Sequence, residues 1–175
     1  MCASAPGDGP PAGEPRPDLE FQRVSLEDGV SHNLIYAIHQ DRTGFLWFGT
    51  MYGLVRYDGR QYVAYRHDPD DPASLSTDDI VCIAEDAAGH LWVGTFGGGV
   101  NRLDPATGQV RRFLPAGPDS SRLSDGVVWD LACAPDGTVW VGTRGGLDRI
   151  DPTSGRVTRF AADPDDPRSA PAGPV

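Results

Sequence analysis

Residues 45–50, Phe-Leu-Trp-Phe-Gly-Thr, contain a four-residue motif that occurs three times in this chain. Trp47-Phe48-Gly49-Thr50 returns as Trp92-Val93-Gly94-Thr95 and again as Trp140-Val141-Gly142-Thr143. The tryptophans are 45 and then 48 positions apart. A period of about 40 to 50 residues is typical of repeat proteins, in which one small structural unit is copied along the chain.

Residues at fixed offsets from each Trp also agree. The shared positions before the Trp are three (Gly44, Gly89, Gly137), nine (Ile38, Ile83, Leu131), eleven (Tyr36, Val81, Trp129) and sixteen (Ser31, Ser76, Ser124). Six positions before it lie Asp41 and Asp86, whereas the third copy has Ala134 there and its acid at Asp136. Agreement at this many offsets indicates a true internal repeat.

Each copy predicts four short strands. In the first copy they are residues 35–40, 45–50, 54–58 and 61–66, joined by short Gly-containing turns of the kind hairpins need. No copy keeps a helical period over about 11 residues, which excludes a helical repeat. Four antiparallel strands in roughly 45 residues is the pattern of a β-propeller blade. We therefore predict an all-β fold, a partial and open β-propeller of three four-stranded antiparallel blades.

The predicted boundaries follow from this repeat. Residues 21–161 hold the blades, at about 25–67, 75–114 and 123–161, with residues 21–24 as the outer strand of a preceding blade. Residues 1–20 and 162–175 are rich in Pro, Gly, Ala and Asp, and we predict that both are disordered.

The repeated motif predicts packing rather than chemistry. A Trp fills the wedge between blades, and its N–H needs a fixed partner. The adjacent Gly allows close approach of a neighbour, and the Thr ends the strand and bonds the next turn. Trp92, in the middle blade, is expected to be more buried than Trp47 or Trp140. The structural positions are thus Trp47, Gly49, Thr50, Trp92, Gly94, Thr95, Trp140, Gly142 and Thr143.

Composition and motifs argue against several functions. With 25 acidic and 15 basic residues, a net charge of −10 and no basic block, the chain is a poor candidate for nucleic-acid binding. P-loop, HExxH and GxSxG patterns are absent from the sequence, so we expect no catalytic residues and no cofactor. Gly97-Gly98-Gly99 is interpreted as a turn.

Metal binding and membrane insertion are also not expected. Asp68, Asp70 and Asp71 alternate with prolines, which suits an extended connector better than a Ca²⁺ site with six to eight oxygen ligands. Cys82 and Cys133 are interpreted as small apolar strand residues. No apolar run approaches the roughly 20 residues of a membrane span, and residues 1–20 lack a signal-peptide pattern.

A candidate binding face follows from the strand directions. The four strands of a blade, A to D, alternate in direction, so the B–C turns and the D–A connections should lie on the same face. The candidate ligand-binding residues there are His32, Asn33, Tyr52, Asp78, Phe96, Asp125 and Arg144. Aromatic rings beside Asn, Asp and Arg would suit a sugar or a peptide, and ordinary solvated loop residues are the alternative.

The repeat resembles that of the two-component regulator propeller family. The resemblance rests on Asp41-Arg42-Thr43-Gly44-Phe45-Leu46-Trp47-Phe48-Gly49-Thr50, on Gly53-Leu54, and on the linkers 68–74 and 163–169. It covers about residues 21–169. It implies the extracytoplasmic sensor region of a bacterial signalling protein, with a histidine kinase or diguanylate cyclase elsewhere in the parent protein.

The expected function is therefore a non-catalytic, ligand-sensing propeller module, periplasmic by resemblance. With three repeats, the chain is expected to be a fragment of a seven-bladed propeller or the product of a truncated gene. Its partners would be a small ligand, such as a glycan, or a protein, together with further blades of the parent protein or a second copy of the chain. A protein-binding scaffold is the alternative, and a propeller glycosidase or lyase is the least favoured.

Overall fold

The computed structural model describes residues 34–160, and all regular secondary structure in that part of the chain is strand. The strands are β1 (Ile35–Gln40), β2 (Leu46–Thr50), β3 (Gly53–Tyr57), β4 (Tyr62–Tyr65), β5 (Ile80–Glu85), β6 (Leu91–Thr95), β7 (Val100–Leu103), β8 (Val110–Phe113), β9 (Val128–Cys133), β10 (Val139–Thr143), β11 (Gly146–Ile150) and β12 (Val157–Phe160). In the first copy every predicted strand end lies within one residue of the observed one.

The strands form three separate antiparallel sheets, each in sequence order. We name them blade 1 (β1–β4), blade 2 (β5–β8) and blade 3 (β9–β12). This confirms the prediction of an open, all-β partial propeller with three four-stranded blades. The predicted terminal segments, including the outer strand at residues 21–24, lie outside the described residues. Residues 34–160 contain no helix that could cross a membrane.

The core lies between consecutive blades. The first strand of blade 2, β5, packs on β1 and β2, and β9 packs in the same way on β5 and β6. One apolar cluster joins Trp47 to Ile80 and Val93, and a second joins Trp92 to Val128 and Val141. Both faces of a sheet are therefore covered only when another blade packs on each side of it.

Burial of the three tryptophans differs from the prediction. Trp47 and Trp92 are both completely buried, whereas Trp140 is half-buried. The expectation that Trp47 would be less buried than Trp92 was wrong, because each Trp points toward the following blade. Blade 2 covers Trp47, although blade 1 is terminal among the described blades.

The tryptophan N–H groups of the first two blades have the fixed partner that was predicted. Trp47 donates to Asp41 at 2.7 Å and Trp92 donates to Asp86 at 3.0 Å. In the third copy, Asp136 accepts instead from the Thr138 N–H and hydroxyl of its own turn. The displaced acid therefore caps a turn and does not replace Asp41 or Asp86.

Each Trp is also held by two side chains of its own blade. The aromatic partners on the fourth strands lie 5.3–5.5 Å away between ring centroids, in the pairs Trp47–Tyr65, Trp92–Phe113 and Trp140–Phe160. Arginines on the third strands lie over the same rings, namely Arg56, Arg102 and Arg149. Such cation–π contacts keep the guanidinium charge close to an otherwise apolar wedge.

The Gly-Thr pair has the roles expected of it in the first two blades. A Cβ on Gly49 would lie 2.8 Å from the Ile80 side chain of blade 2, and a Cβ on Gly94 would lie 2.7 Å from Val128 of blade 3. Any side chain there would push the next blade away. Thr50 donates its hydroxyl to the Gly53 carbonyl at 2.9 Å and accepts the Tyr52 N–H at 3.0 Å, which closes the turn.

Candidate functional site

The B–C turns and the D–A connections lie at one end of the blades, as the strand directions predicted. Backbone hydrogen bonds join them: Gly53 N–H to Asp78 carbonyl (2.8 Å), Phe96 N–H to Asp79 carbonyl (2.9 Å), Gly97 N–H to Gly126 carbonyl (3.0 Å) and Arg144 N–H to Val127 carbonyl (3.0 Å). The result is a continuous surface, which we call the loop face. It consists of residues 51–53, 77–79, 96–99, 125–127 and 144–145.

Three predicted site residues are exposed on B–C turns of the loop face. Tyr52 is 37% exposed and Phe96 51% exposed, and nearly two thirds of the Arg144 side chain faces solvent. Each follows a buried Thr that fixes the end of the preceding strand. His32 and Asn33 lie outside the described residues.

Asp78 is mainly a structural residue of the linker between blades 1 and 2. Its Oδ1 accepts the His67 N–H at 2.6 Å, and its carbonyl accepts the Gly53 N–H. These bonds tie the linker to the first B–C turn. Of the predicted residues, Asp78 therefore contributes more to the shape of the loop face than to its free hydrogen-bonding groups.

Asp125 and Arg144 form an ion pair on the loop face. A guanidinium nitrogen of Arg144 lies 3.1 Å from Asp125 Oδ2, and Asp125 Oδ1 accepts the Val127 N–H at 2.8 Å. The Val127 hydrogen bond, followed by the Arg144 hydrogen bond and charge, lowers the pKa of Asp125 below its usual value. The pair is thus charged at neutral pH and offers both donors and acceptors to a ligand.

Trp129, an aromatic residue that contacts Phe96 of the loop face, was not selected from the sequence. The first strand of every blade has a β-bulge near its start, and the residues at the irregularity are Tyr36, Val81 and Trp129. Bulges re-aim side chains and are common next to binding sites. The Trp129 ring, 42% exposed, packs edge-on against Phe96 at 6.0 Å.

The missed residues had a signal in the sequence. Tyr36, Val81 and Trp129 occupy the same offset, eleven positions before the repeated Trp, yet they differ in size and chemistry. A fixed offset with variable chemistry is the pattern that had already identified the residues after each Gly-Thr. Strand pairing alone would have placed these side chains in the sheet, because a bulge is not visible from period-2 alternation.

Asp79 is a second residue that the sequence did not indicate. Its backbone carbonyl accepts the Phe96 N–H, and burial raises the pKa of its carboxyl. A carboxyl with a raised pKa is the kind of group that could act as a general acid. Asp125, another carboxyl of the loop face, has its pKa shifted in the opposite direction.

The remaining chemical features have structural roles in the described residues. Asp68 and Asp71 accept backbone N–H groups of their own linker, from Asp70 and Ala73. Between residues 34 and 160 no group of three or more His, Cys, Asp or Glu side chains could hold a metal ion. Gly97-Gly98-Gly99 forms the turn between β6 and β7, as predicted.

The two strand cysteines are protected from reaction by their position. Cys82 is buried on β5, and Cys133 is partly buried on β9. Burial raises the pKa of Cys82 to about 12 and that of Cys133 to about 11, so both stay protonated at neutral pH. This agrees with their interpretation as small apolar strand residues.

A family model described as "Two component regulator propeller" matches the chain at residues 29–52, 74–97 and 122–145. The three matches coincide with the three repeats. The chain belongs to the two-component regulator propeller family. Each match ends just past a Gly-Thr pair, so it includes the B–C turn residues of the loop face.

Solved structures agree with this membership. The extracellular domain of a hybrid two-component system from B. thetaiotaomicron is 25% identical and superposes with a TM-score of 0.72, over 80% of this chain and 20% of that one. Virginiamycin B lyase from Staphylococcus aureus, 18% identical with a TM-score of 0.53 over 73% of this chain and 41% of that one, shares the fold alone.

A curated relative points to the same class of protein. "Histidine kinase P4" of Formosa agariphila is 39% identical over 56 residues, which is 32% of this chain. The chain spans only 4% of the length of that kinase and 20% of the extracellular domain above. These propeller repeats are thus of the kind that two-component sensors carry.

Proposed function

We propose that this chain is a ligand-sensing module of a two-component-type sensor and that the loop face binds the ligand. The observation that carries the proposal is the Phe96–Trp129 pair, two large aromatic rings about half exposed beside the Asp125–Arg144 ion pair. Large exposed aromatic groups cost free energy in water unless a ligand covers them. Phe96 lies on the B–C turn of blade 2, and Trp129 lies at the bulge of β9.

The chemistry of the face suits an uncharged or weakly charged ligand, such as an oligosaccharide or a peptide. Aromatic faces pack on the apolar faces of sugar rings and on side chains, while the Asp125–Arg144 pair supplies directional hydrogen bonds. The net charge of −10 disfavours polyanions. An oligosaccharide is the ligand that we expect to bind best.

The module would work outside the cytoplasm and without catalysis of its own. The similarity to an extracellular domain of a hybrid two-component system supports the proposed extracytoplasmic location. A non-catalytic role is supported by the ion pair that holds the Asp125 carboxyl on the loop face. A kinase or cyclase in a longer parent protein would then carry the output.

An enzyme of the glycosidase or lyase class is the second candidate, and Asp79 is the observation that favours it. Burial raises the pKa of this carboxyl, and the Asp79 backbone carbonyl accepts the Phe96 N–H at 2.9 Å. If the loop face cleaved its ligand, Asp79→Asn would abolish turnover while leaving binding. Incubation of the bound oligosaccharide with the protein, followed by mass spectrometry, separates the candidates, and intact ligand after long incubation supports the sensor.

The direct test uses an array of oligosaccharides and peptides, with calorimetry on the best binder. Phe96→Ala and Trp129→Ala should each weaken binding by roughly tenfold or more, the effect of removing one central aromatic contact. Tyr62→Ala is the matched control, because Tyr62 stacks on Tyr57 at 4.6 Å, on the C–D side of blade 1. Equal loss in the control, or no loss in the Phe96 and Trp129 variants, would overturn this site.

The array also decides between a ligand sensor and a protein-binding scaffold. A scaffold would bind a folded partner through the same aromatic residues but would retain no soluble oligosaccharide or short peptide. Binding of a soluble ligand that is lost in Phe96→Ala supports the sensor. Absence of any small ligand, with Phe96-dependent binding of a protein, supports the scaffold.

A further inference from the structure

A cavity of about 310 Å³ lies between blades 1 and 2, at the end of the strands opposite the loop face. It is formed by the A–B turns of both blades, by the third strand of blade 1 and by the C–D turn of blade 2. Because both enclosing blades lie within residues 34–160, the cavity belongs to an inner seam and not to an uncovered outer face. Its lining includes Phe45, Arg56, Ala88, Asp104, Pro105 and Ala106.

Arg42 fixes the wall of the cavity where the two blades meet. It lies on the A–B turn of blade 1, and its guanidinium donates to the Glu85 carboxylate and to the backbone carbonyls of Asp86 and Ala87. The Arg42 backbone N–H donates to the same carboxylate at 3.0 Å. All three guanidinium nitrogens of Arg42 are thus bonded to blade 2, so this arginine shapes the cavity and is committed to the seam.

Arg56 is the cation of the cavity whose hydrogen-bond donors remain available. Its guanidinium lies over the rings of Phe45 and Trp47, at 5.0 and 5.8 Å from the ring centroids. Among residues 34–160, Arg56 makes no hydrogen bond and no salt bridge. In blade 2, the equivalent Arg102 has a partner at 3.0 Å, the Nδ1 atom of His90, which stands where blade 1 has Phe45. The aromatic residue therefore leaves the Arg56 donors for a ligand.

The acids that line the cavity are largely satisfied by the protein. Asp41 accepts four hydrogen bonds from its own blade, and Glu85 accepts two from Arg42. Asp104 accepts one N–H and one hydroxyl of its own turn, both at 2.9 Å, and forms no salt bridge within the described part of the chain. Three acids against two arginines make the cavity unfavourable for a ligand with several negative charges. A ligand that brings a positive group with its carboxylate avoids this repulsion.

We propose that this cavity, which we call the seam site, binds an α-amino acid in its zwitterionic form. The carboxylate would lie on the Arg56 guanidinium and the ammonium group toward Asp104. An arginine fork matches a carboxylate with two parallel hydrogen bonds. Phe45, Ala88 and Pro105 supply an apolar wall for an uncharged side chain. The volume is at the lower limit of the roughly 300–1,000 Å³ of ligand pockets, which suits a single amino acid.

The test is calorimetric titration of the 175-residue chain with L-leucine, L-valine and L-phenylalanine, and then with the amide and the N-acetyl derivative of the best binder. The amide lacks the carboxylate and the N-acetyl derivative lacks the ammonium group, so each should bind roughly tenfold more weakly or worse. Arg56→Gln should weaken binding of the amino acid by a similar factor, because it removes the charged fork that holds the carboxylate.

Arg149→Gln is the matched control. Arg149 lies over the Trp140 ring of blade 3 as Arg56 lies over Trp47, but it is outside the seam site. It should leave binding of the amino acid unchanged, and near-ultraviolet circular dichroism should show native packing in every variant that is titrated.

Asp104→Asn is the second variant, and it keeps the proposal testable should Arg56→Gln disturb the packing of Trp47. It should weaken binding of the amino acid but not of its N-acetyl derivative, which has no ammonium group to lose a partner. The proposal would be overturned by no binding of any of the three amino acids at millimolar concentration. An amide that binds as tightly as the amino acid, or an equal loss in Arg149→Gln, would also overturn it.

Discussion

Blades 1 and 3 have the same motif but different environments. Trp47 is completely buried, its N–H bonded to Asp41, whereas Trp140 is half-buried and has Ala134 at the position of that acid. Both blades are terminal among those described, yet only one Trp loses its cover. The difference shows that the blade has a direction: the Trp face of each blade is completed by the blade that follows it in sequence.

A second pair of equivalent positions shows how the sequence has adapted to burial. In blade 2, Asn101 accepts the Ser76 N–H at 2.9 Å and donates to the Ser76 hydroxyl at 2.8 Å. In blade 3, the equivalent Asp148 accepts both the N–H and the hydroxyl hydrogen of Ser124. Both side chains are completely buried. The Asn101 amide makes its hydrogen bonds without a charge, whereas the Asp148 carboxyl buries a charge when it is ionised.

The largest expected effect comes from truncating the tryptophans. Trp47→Ala and Trp92→Ala should each lower the free energy of unfolding by about 3–5 kcal/mol, the range for buried aromatic residues. Trp140→Ala should cost about half as much, because among the described residues Trp140 contacts Phe160 and Arg149 but is not covered by another blade. Chemical denaturation measures the difference, and equal costs at all three positions would break the directional comparison.

The second-largest effect on the free energy of unfolding is expected from the aspartates that accept the indole N–H hydrogen bonds of Trp47 and Trp92. Asp86→Ala should cost about 1–3 kcal/mol, because it leaves the buried Trp92 N–H without an acceptor and uncaps the turn at Ala88 and His90. Burial raises the pKa of Asp86, but hydrogen bonds from Trp92 and His90 lower it more.

The pH dependence of this effect follows from that lowered pKa. The stabilisation is present above the ordinary value of 3.8 and is lost as the pH falls through the lower folded value. Asp136→Ala, at the displaced acid of blade 3, is the control and should cost less than about 1 kcal/mol. A larger cost for Asp136→Ala than for Asp86→Ala would contradict the assignment of the tryptophan partner.

Asp148→Asn and Asn101→Asp should change the free energy of unfolding in opposite directions, each by about 1 kcal/mol and in a pH-dependent way. Burial raises the pKa of Asp148, with hydrogen bonds from Ser124 opposing the shift. Its contribution is therefore most favourable below the unfolded pKa and is lost as the pH rises through the folded pKa. Asp148→Asn should raise the free energy of unfolding by on the order of 1 kcal/mol at pH 7, and the gain should disappear in acid.

The reverse substitution, Asn101→Asp, should destabilise the protein at pH 7 and recover in acid. Urea denaturation of both variants at pH 7 and near pH 3.5 provides the measurement. A gain from Asp148→Asn that persists at the lower pH would show that charge burial is not its cause.

The sequence was sufficient to predict the fold because each structural position occurs in three copies of the repeat, which can be compared with one another. Strand ends, the role of Thr50 and the shared end of the B–C and D–A connections all follow from local pattern and strand direction. The complete burial of Trp47 could not be predicted in this way, because it depends on which face of a blade packs against the neighbouring blade. Trp129 was missed for a related reason: a β-bulge re-aims its side chain, and no alternation in the sequence marks the bulge.

Hydrogen exchange of the four indole N–H groups, measured by NMR, tests the directional stacking of the blades most directly. Trp47 and Trp92 are buried and bonded to Asp41 and Asp86, so their N–H groups should exchange only on unfolding. Trp129 and Trp140 should exchange many-fold faster. A Trp140 N–H protected as strongly as that of Trp92, or a Trp47 N–H as open as that of Trp140, would contradict the account.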